Sequence, residues 1–254
     1  MSLAAFQLNG KTALVTGSHR GLGAAIAFAL AQAGADVACH GRGADPGTIC
    51  AEIQALGRRT TYFPGDLAEP EVCSALVEKT VAEFGSLDIL VNNAGIIRRS
   101  PAVEYSPKDW DQVISVDLTA VFRLSQLAAS QMFKQGTGGK ILNIASVLSF
   151  QGGILVPAYA AAKGGVVQLT RAFANEWAAK GINVNAIAPG YMATDNTTAL
   201  RDDPQRNRAI LERIPAGRWG QPADLAGAAV FLCSPASDYV HGHVLMVDGG
   251  WLSR

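Results

Sequence analysis

Tyr159 and Lys163 are the residues whose types and spacing best fit proton chemistry. They lie four positions apart at the start of a predicted helix, so they share one helix face and the lysine can sit beneath the tyrosine hydroxyl. A phenol has a reference pKa of about 10, which is too high for general acid/base work near neutrality. Lowering it by about three units requires about 4 kcal/mol, which nearby positive charge can supply in a partly desolvated cleft. The pair predicts an acid/base site, with Ser146 thirteen residues before the tyrosine.

A glycine-rich turn follows the first predicted strand. It contains Gly17, Gly21 and Gly23, spaced G-x-x-x-G-x-G before a predicted helix. Glycine lets the backbone turn sharply and approach a pyrophosphate, whose charge the helix N-terminus stabilises. A purely structural tight turn is the alternative, but the position between a strand and a helix favours a dinucleotide site.

The elements that must position these residues alternate along the chain. Short β-rich runs recur at residues 12–16, 37–40, 60–63, 87–91, 140–145, 183–188 and 243–247, with helical runs between them. This alternation predicts right-handed βαβ units and a single α/β domain over residues 1–254 with a Rossmann fold. We expect a doubly wound parallel sheet of about seven strands with helices on both faces. Ligands of such a sheet bind at the carboxyl ends of its strands.

Two longer stretches complete the predicted domain. The pattern indicates one long helix around residues 108–134. Residues 191–220 form a long irregular stretch of mixed charge between two regular elements. A loop of this length inside a compact domain is usually a functional lid, and a disordered excursion is the alternative. We predict a substrate lid at residues 191–220.

The composition disfavours several other classes of protein. The chain has 254 residues, 21 basic and 21 acidic side chains, and a hydrophobic fraction of 49%. Zero net charge argues against nucleic acid or an anionic membrane as the partner. We find no apolar run of about 18 residues and no secretory signal, and the four cysteines lack the spacing of a metal site. His241 and His243 alone are too few ligands for a metal, so we predict no metal site. The lack of a secretory signal and of a long apolar run predicts a cytoplasmic protein.

The chain resembles the short-chain dehydrogenase/reductase family over nearly its whole length. The matching pieces occur in order along the chain: the glycine turn, Asp66, Asn92-Asn-Ala-Gly95, Ser146, Tyr159, Lys163 and Pro189-Gly190. The resemblance implies that Tyr159 is the general acid/base and that Ser146 orients the reacting oxygen. It also implies that Lys163 binds the nicotinamide ribose and lowers the tyrosine pKa.

The same resemblance implies a cofactor site. Asp66 would contact the adenine, and the residues flanking the nicotinamide would include Ile187, Pro189, Gly190 and Thr194. The full predicted set is Gly17, His19, Arg20, Gly21, Leu22, Gly23, Arg42, Asp66, Leu67, Asn93, Ala94, Gly95, Tyr159, Lys163, Pro189, Gly190, Met192 and Thr194.

Asp117 departs from the family pattern. The family usually has an asparagine at this place, which holds a proton-relay water. An ionised carboxylate accepts hydrogen bonds but cannot donate one. We therefore count Asp117 among the catalytic residues: the alternatives are an altered relay, or a carboxylate that still positions the water and stabilises Lys163.

Cofactor choice depends on the end of the second strand, where an acidic residue binds the ribose of NAD and repels the phosphate of NADP. The run from Cys39 to Arg42 has no carboxylate, and Arg20 and Arg42 could converge on a 2′-phosphate. Two solvated arginines are the alternative. The charges favour NADP, whereas the sugar-acid branch of the family is generally associated with NAD, so the choice stays open.

Resemblance to that branch indicates the substrate, a sugar acid of the 2-deoxy-D-gluconate or 2-keto-3-deoxygluconate type. Its pieces are the segments 93–99, 149–153 and 191–201. A guanidinium beyond a strand-end turn can hold a carboxylate, and amides can bond hydroxyls. The predicted substrate residues are Arg98, Ser146, Gln151, Tyr159 and Asn196. Ordinary surface charge is the alternative for Arg98.

Two other functions remain open. One is a 3-oxoacyl thioester reductase on the same fold, which would need a groove for a carrier arm. The other is a catalytically silent nucleotide-sensing regulator, against which the presence of Ser146, Tyr159 and Lys163 argues. The resemblance also implies a homotetramer, because the apolar segment 244–251 is similar to the family's subunit contacts.

Overall fold

The computed structural model describes residues 3–44 and 47–254, so residues 1–2 and 45–46 of the predicted domain lie outside it. Its strands are β1 (Thr12–Val15), β2 (Asp36–Gly41), β3 (Thr60–Pro64), β4 (Ile89–Asn92), β5 (Gly139–Ile144), β6 (Ile182–Pro189) and β7 (Val244–Val247). In the described chain these seven form one parallel sheet in the order β3-β2-β1-β4-β5-β6-β7. The strand order reverses between β1 and β4, which confirms the predicted doubly wound Rossmann topology.

Helices cover both faces of the sheet, as predicted. They are α1 (Gly21–Gln32), α2 (Thr48–Ala55), α3 (Pro70–Phe84), α4 (Pro107–Ile114), α5 (Ala120–Gln135), α6 (Pro157–Trp177), α7 (Thr198–Asp202), α8 (Pro204–Arg213) and α9 (Ala226–Cys233). Ala13 and Val15 of β1 pack with α1, α2 and α9, while Leu14 packs with α3, α5 and α6. The strand is apolar throughout because both of its faces are buried.

A buried polar ladder fixes the strand ends that face the site. Asn92, the last residue of β4, donates to the Asn143 side-chain oxygen (2.9 Å) and to the Ser125 hydroxyl (3.0 Å). Asn143 in turn donates to the Thr170 hydroxyl (2.9 Å). These bonds join β4 and β5 to α5 and α6, because buried polar groups need partners inside the fold.

The predicted helix over residues 108–134 is interrupted. Helix α4 ends at Ile114, and a π-helical segment, Ser115–Thr119, precedes α5. Asp117 in this segment is fully buried, and its Oδ1 accepts a hydrogen bond from the Ile96 N–H (2.8 Å). Such single-turn π segments often occur at functional sites. The sequence periodicity did not show the interruption because the apolar spacing continues on both sides of it.

The prediction of an irregular stretch over residues 191–220 is wrong. The chain there forms a 3₁₀ turn at Asp195–Thr197 and the helices α7 and α8. The Asp203 carboxylate caps α8 by accepting two N–H groups of its first turn. Ile210 and Ile214 are buried in a small apolar cluster. The mixed charge of the segment concealed this apolar side.

One helical stretch among the described residues, Pro107–Gln135, is long and apolar enough to meet the criteria for a membrane span. Half of its apolar window is buried inside the fold. Core helices of soluble proteins meet the same criteria, so the stretch is weak evidence for a membrane span.

Candidate active site

A cleft of about 940 Å³ opens along the carboxyl ends of the central strands. This is the edge at which a doubly wound sheet binds its ligands. Asp117 and Ile187 are buried behind the wall and do not line the cleft. The other predicted site residues all line it: Gly17, His19, Arg20, Gly21, Leu22, Gly23, Arg42, Asp66, Leu67, Asn93, Ala94, Gly95, Arg98, Ser146, Gln151, Tyr159, Lys163, Pro189, Gly190, Met192, Thr194 and Asn196.

The loop after β4 holds the glycine turn in place. The Asn93 side-chain amide donates to the carbonyls of Thr16 (2.9 Å) and Gly17 (3.1 Å). A Cβ on Gly23 would lie 2.2 Å from the Gly17 carbonyl oxygen, so only glycine allows α1 to begin this close to the turn. The side chain of Arg20, the N-cap residue, makes no capping hydrogen bond to α1. The first N–H groups of the helix are therefore suited to a bound anion such as a pyrophosphate.

His40, near the end of β2, is a cleft residue that sequence reasoning missed. Its Nδ1 accepts a hydrogen bond from the Gly17 N–H (3.3 Å), and its Nε2 lies 3.0 Å from the Gly65 carbonyl oxygen. These partners require a neutral ring with the proton on Nε2. Burial lowers the pKa of His40 to about 4. The neutral histidine thus joins the glycine turn to the loop after β3, and its place at the end of a strand was the available signal.

Arg20 and Arg42 line the same part of the cleft. Arg20 Nη1 lies 3.0 Å from Asp195 Oδ2, so an ion pair connects the glycine turn to the segment after β6. The two side chains are 64% and 73% exposed, and pairs of this kind contribute little to stability. Arg20 and Arg42 are predicted to converge on a 2′-phosphate, and the Asp195 carboxylate competes with that phosphate for Arg20.

Ser146 caps a short turn at the end of β5. Its hydroxyl accepts a hydrogen bond from the Leu148 N–H (3.1 Å), and its own N–H donates to the Ser149 hydroxyl (3.2 Å). The Ser149 hydroxyl donates to the Lys163 carbonyl (2.8 Å) in α6. The turn therefore fixes Ser146 relative to the helix that carries Tyr159 and Lys163.

Lys163 and Asp117 form a buried pair behind the cleft. Lys163 Nζ donates to the Ile144 carbonyl (2.9 Å) and lies 3.8 Å from Asp117 Oδ2. A Cβ on Gly95 would lie 2.8 Å from the same Oδ2, so glycine makes room for the carboxylate. Burial raises the pKa of Asp117 to about 6, and the Lys163 charge opposes this rise. The geometry fits support of Lys163, and Asp117 does not line the cleft. A part for Asp117 in positioning a water stays a prediction.

Tyr159 lies one helical turn before Lys163, whose Nζ is 5.6 Å from the tyrosine ring centroid. Burial and the Asp117 carboxylate raise the pKa of Tyr159, whereas contacts with Ser146 and Arg99 act in the opposite direction. Lys163 is not among the groups that shift the pKa of Tyr159 here. The expectation that Lys163 lowers this pKa stays a prediction.

Arg98 is less free than predicted. Its Nη2 donates to Gln112 Oε1 (3.0 Å), and its Nε lies 3.6 Å from Asp109 Oδ1. The neighbouring Arg99 also lines the cleft and donates to the Asn196 carbonyl (3.0 Å). Arg98 is thus already neutralised by the protein, while Arg99 has only a neutral partner within the described chain.

Gln151 is also engaged by protein groups. Its Oε1 accepts hydrogen bonds from Trp251 Nε1 (2.9 Å) and Arg213 Nη2 (3.2 Å), so only its amide nitrogen is left for a substrate hydroxyl. Further cleft residues that the sequence did not single out are Tyr191, Arg206, Arg213 and Trp251. No motif marks them, and the richness of segment 191–220 in arginine was the available signal.

A doubly wound sheet whose glycine turn, serine, tyrosine and lysine meet at one edge defines a dinucleotide-dependent oxidoreductase. A family model described as enoyl-(acyl carrier protein) reductase matches residues 17–252. The chain belongs to the short-chain dehydrogenase/reductase family.

Similar proteins cover the whole chain. It is 56% identical over 254 residues to the 2-dehydro-3-deoxy-D-gluconate 5-dehydrogenase of Escherichia coli (strain K12), with 100% of both chains covered. It is 55% identical over 257 residues to the enzyme of the same name from Bacillus subtilis (strain 168), with 98% of both covered.

Two solved structures share the fold closely. One, a gluconate 5-dehydrogenase from Burkholderia cenocepacia in complex with NADP and tartrate, gives a TM-score of 0.95 at 42% identity with 100% of both chains covered. The other, from Agrobacterium tumefaciens with bound NADP, gives a TM-score of 0.92 at 56% identity. It covers 98% of this chain and 99% of its own.

Proposed function

We propose that this protein is a sugar-acid dehydrogenase. It exchanges a hydride between NADP and a secondary alcohol or ketone of a substrate of the 2-keto-3-deoxygluconate or 2-deoxy-D-gluconate type. The observation that carries the proposal is the meeting of Ser146, Tyr159 and Lys163 with several arginines in one cleft. Full-length relatives named for this activity support it.

The residues of the cleft divide the chemistry between them. A bound nicotinamide accepts the hydride from the substrate carbon in oxidation and supplies it in reduction. Tyr159 takes the hydroxyl proton during oxidation and returns it during reduction. The Ser146 oxygen accepts the Leu148 N–H, which leaves its own hydrogen to donate to the Tyr159 oxygen or to the substrate oxygen. Lys163, held by Ile144 and Asp117, keeps a positive charge beneath the reacting groups.

NADP is the cofactor that the charges favour. Arg20 and Arg42 line the cleft near the end of β2, where NAD-binding sites usually place a carboxylate. The NADP in the two neighbouring structures supports this choice. We expect kcat/KM for NADP to exceed that for NAD, and a clear preference for NAD would contradict the assignment.

We further propose that residues 191–220 act as a substrate lid and that the protein is a cytoplasmic homotetramer. The lid is supported by Tyr191, Arg206 and Arg213, which all line the cleft. A subunit interface is supported by large apolar side chains exposed on α5 and β7, namely Phe122, Phe133 and Met246. The mass in solution, measured by light scattering, tests the tetramer.

A substrate screen tests the activity itself. Aldonates and deoxy-aldonates, with each cofactor, are followed by the absorbance of the reduced nicotinamide. We expect turnover of a deoxy-aldonate or its keto form. Turnover of an acetoacetyl thioester alone would identify a thioester reductase, and cofactor binding without turnover of any substrate would identify a nucleotide-sensing regulator.

A further inference from the structure

Three arginines of the cleft carry charges that no acidic group among the described residues neutralises. Arg99 follows β4, and Arg206 and Arg213 lie on α8; all three line the cleft without an ion-pair partner among the described residues. By contrast, Arg208 on the same helix pairs with Glu212 at 2.7 Å, outside the cleft. Like charges that converge on one cleft create a positive potential, which a bound anion neutralises.

Arg213 is held in a defined position. Its guanidinium carbon lies 4.0 Å from the centroid of the Trp251 ring, a cation–π contact. Its Nη2 donates to Gln151 Oε1, which also accepts the Trp251 indole N–H (2.9 Å). This closed set of three contacts orients the guanidinium plane, and it uses only one of the five N–H donors of Arg213.

The end of α8, which carries Arg213, packs against the turn that begins at Ser146. Ile210 and Ile214, on either side of Arg213 along the chain, are buried in one cluster with Val147 and Trp251. Val147 directly follows Ser146, so the same apolar cluster supports both the serine turn and the end of α8. Arg213 therefore has a fixed relation to the reacting oxygen rather than belonging to an independent loop.

A second arginine and a phenol lie near the same place. The Tyr191 ring packs 4.5 Å from the Trp251 ring, centroid to centroid. Burial raises the pKa of Tyr191, and the charges of Arg206 and Arg213 act in the opposite direction. Arg206 and Arg213 lie about two helical turns apart on α8, so they share one helix face, and both line the cleft with Tyr191. This face of the cleft therefore presents two cations and a hydroxyl donor.

We propose that Arg213, with Arg206 beside it, binds the carboxylate of the substrate, while Gln151 and Trp251 act as positioning residues for Arg213. The inference rests on the proposed function, since it needs a substrate that carries an acid group. It differs from the expectation for Arg98, whose guanidinium is already paired with Asp109. A free bidentate guanidinium suits a carboxylate, and acid substrates are then selected over neutral polyols.

The test measures binding rather than turnover. The enzyme saturated with NADP⁺ is titrated calorimetrically with D-gluconate and with its neutral amide, D-gluconamide. We expect the wild type to bind the acid tenfold or more tightly than the amide, and Arg213→Gln to bring the two affinities close together. Arg208→Gln is the matched control on the same helix and should keep the preference, because Arg208 already pairs with Glu212 outside the cleft.

Each result decides the inference. Equal binding of acid and amide by the wild type, or an unchanged preference in Arg213→Gln, overturns it. If the glutamine variant does not fold, Arg213→Lys keeps the stem and charge over Trp251 but loses the bidentate geometry. It should then lower the preference several-fold, and an unchanged preference overturns the inference. An Arg213-dependent preference without turnover of any sugar acid would leave this site standing and refute the proposed function.

Discussion

The two sides of the cleft are built in different ways. The inner wall, defined as residues 16–23, 92–95 and 146–163, is held by short hydrogen bonds from side chains such as the half-buried Asn93 and the buried Lys163. The outer rim, defined as residues 98–99 and 191–213, is held by exposed ion pairs, ring contacts and one small apolar cluster. We propose that the wall fixes the atoms that react and that the rim presents charge to a ligand.

Because the two sides of the cleft are built differently, they should control different properties of the enzyme. Groups that move a proton must be placed within hydrogen-bond distance of the reacting atoms, which requires a rigid support. Groups that select a substrate act by complementary charge, which tolerates solvent and some movement. Changes in the inner wall should therefore reduce kcat or stability, and changes in the outer rim should alter affinity and selectivity.

Tyr159→Phe should give the largest effect. The phenylalanine keeps the ring beside Lys163 but removes the hydroxyl that we propose exchanges the substrate proton. We expect kcat to fall by about 10⁴-fold with little change in cofactor affinity. Tyr239→Phe is the control, because this tyrosine is fully exposed. Steady-state rates that stay within tenfold of the wild type would show that the inner wall does not hold the acid/base.

Asp117 tests whether the inner wall depends on its buried charge pair. Asp117→Leu leaves Lys163 without its opposite charge, so we expect a loss of about 3–5 kcal/mol in the free energy of unfolding, measured with urea. Asp117→Asn keeps an acceptor for the Ile96 N–H and should preserve or increase turnover.

The asparagine variant also shifts the pH profile. The Asp117 carboxylate raises the pKa of Tyr159, so its removal lowers that pKa. For alcohol oxidation, kcat/KM increases with pH as Tyr159 loses its proton. This increase should therefore occur at lower pH in Asp117→Asn than in the wild type. A large loss of activity in Asp117→Asn would instead show that the carboxylate itself is needed.

The ionisation of His40, which bonds to the inner wall through the Gly17 N–H, should give a smaller effect on stability. Unfolded histidine takes up a proton near 6.5, whereas burial lowers the pKa of His40 in the fold to about 4. Between these values the unfolded chain binds more protons, so stability is complete above about pH 6.5 and falls as the pH drops toward 4, by up to about 3 kcal/mol. Urea unfolding at several pH values should show this slope in the wild type.

His40→Gln removes the titrating group and retains an amide that can bond the Gly65 carbonyl. The pH slope should flatten in this variant and should persist in His243→Gln, where the histidine is exposed. An equal slope in all three proteins would mean that His40 is not a buried neutral group.

The sequence predicts the inner wall better than the outer rim for a physical reason. The glycine turn, the Asn93 turn and the Tyr159–Lys163 pair depend on backbone geometry and on spacings within one or two helical turns. These constraints involve residues that are close together in the sequence. The alternating strands and helices likewise follow from local apolar periodicity.

The rim depends on contacts between distant residues. Trp251 bonds to Gln151, a partner 100 positions away. Ile210 of α8 and Ile214, which follows the helix, belong to the same apolar cluster as this tryptophan. The π segment at Asp117 likewise forms around Ile96 and Lys163 rather than around its neighbours. Local pattern cannot indicate such partners, which is why the sequence predicts an irregular stretch at residues 191–220 and does not show the partners of Arg98.

The Arg20–Asp195 ion pair, which connects the wall to the rim, should give the smallest change in stability and a selective change in cofactor binding. Asp195→Asn removes an exposed pair, so the free energy of unfolding should change by less than about 1 kcal/mol. If Arg20 faces the 2′-phosphate, losing the competing carboxylate frees its guanidinium, and the dissociation constant for NADP should fall several-fold while that for NAD stays the same. Glu212→Gln, which breaks the exposed pair with Arg208, should change neither constant. Equal changes in the dissociation constants of both cofactors would mean that the pair positions the rim and that Arg20 does not bind the 2′-phosphate. High salt should reduce any NADP-specific gain in affinity because exposed charges are screened.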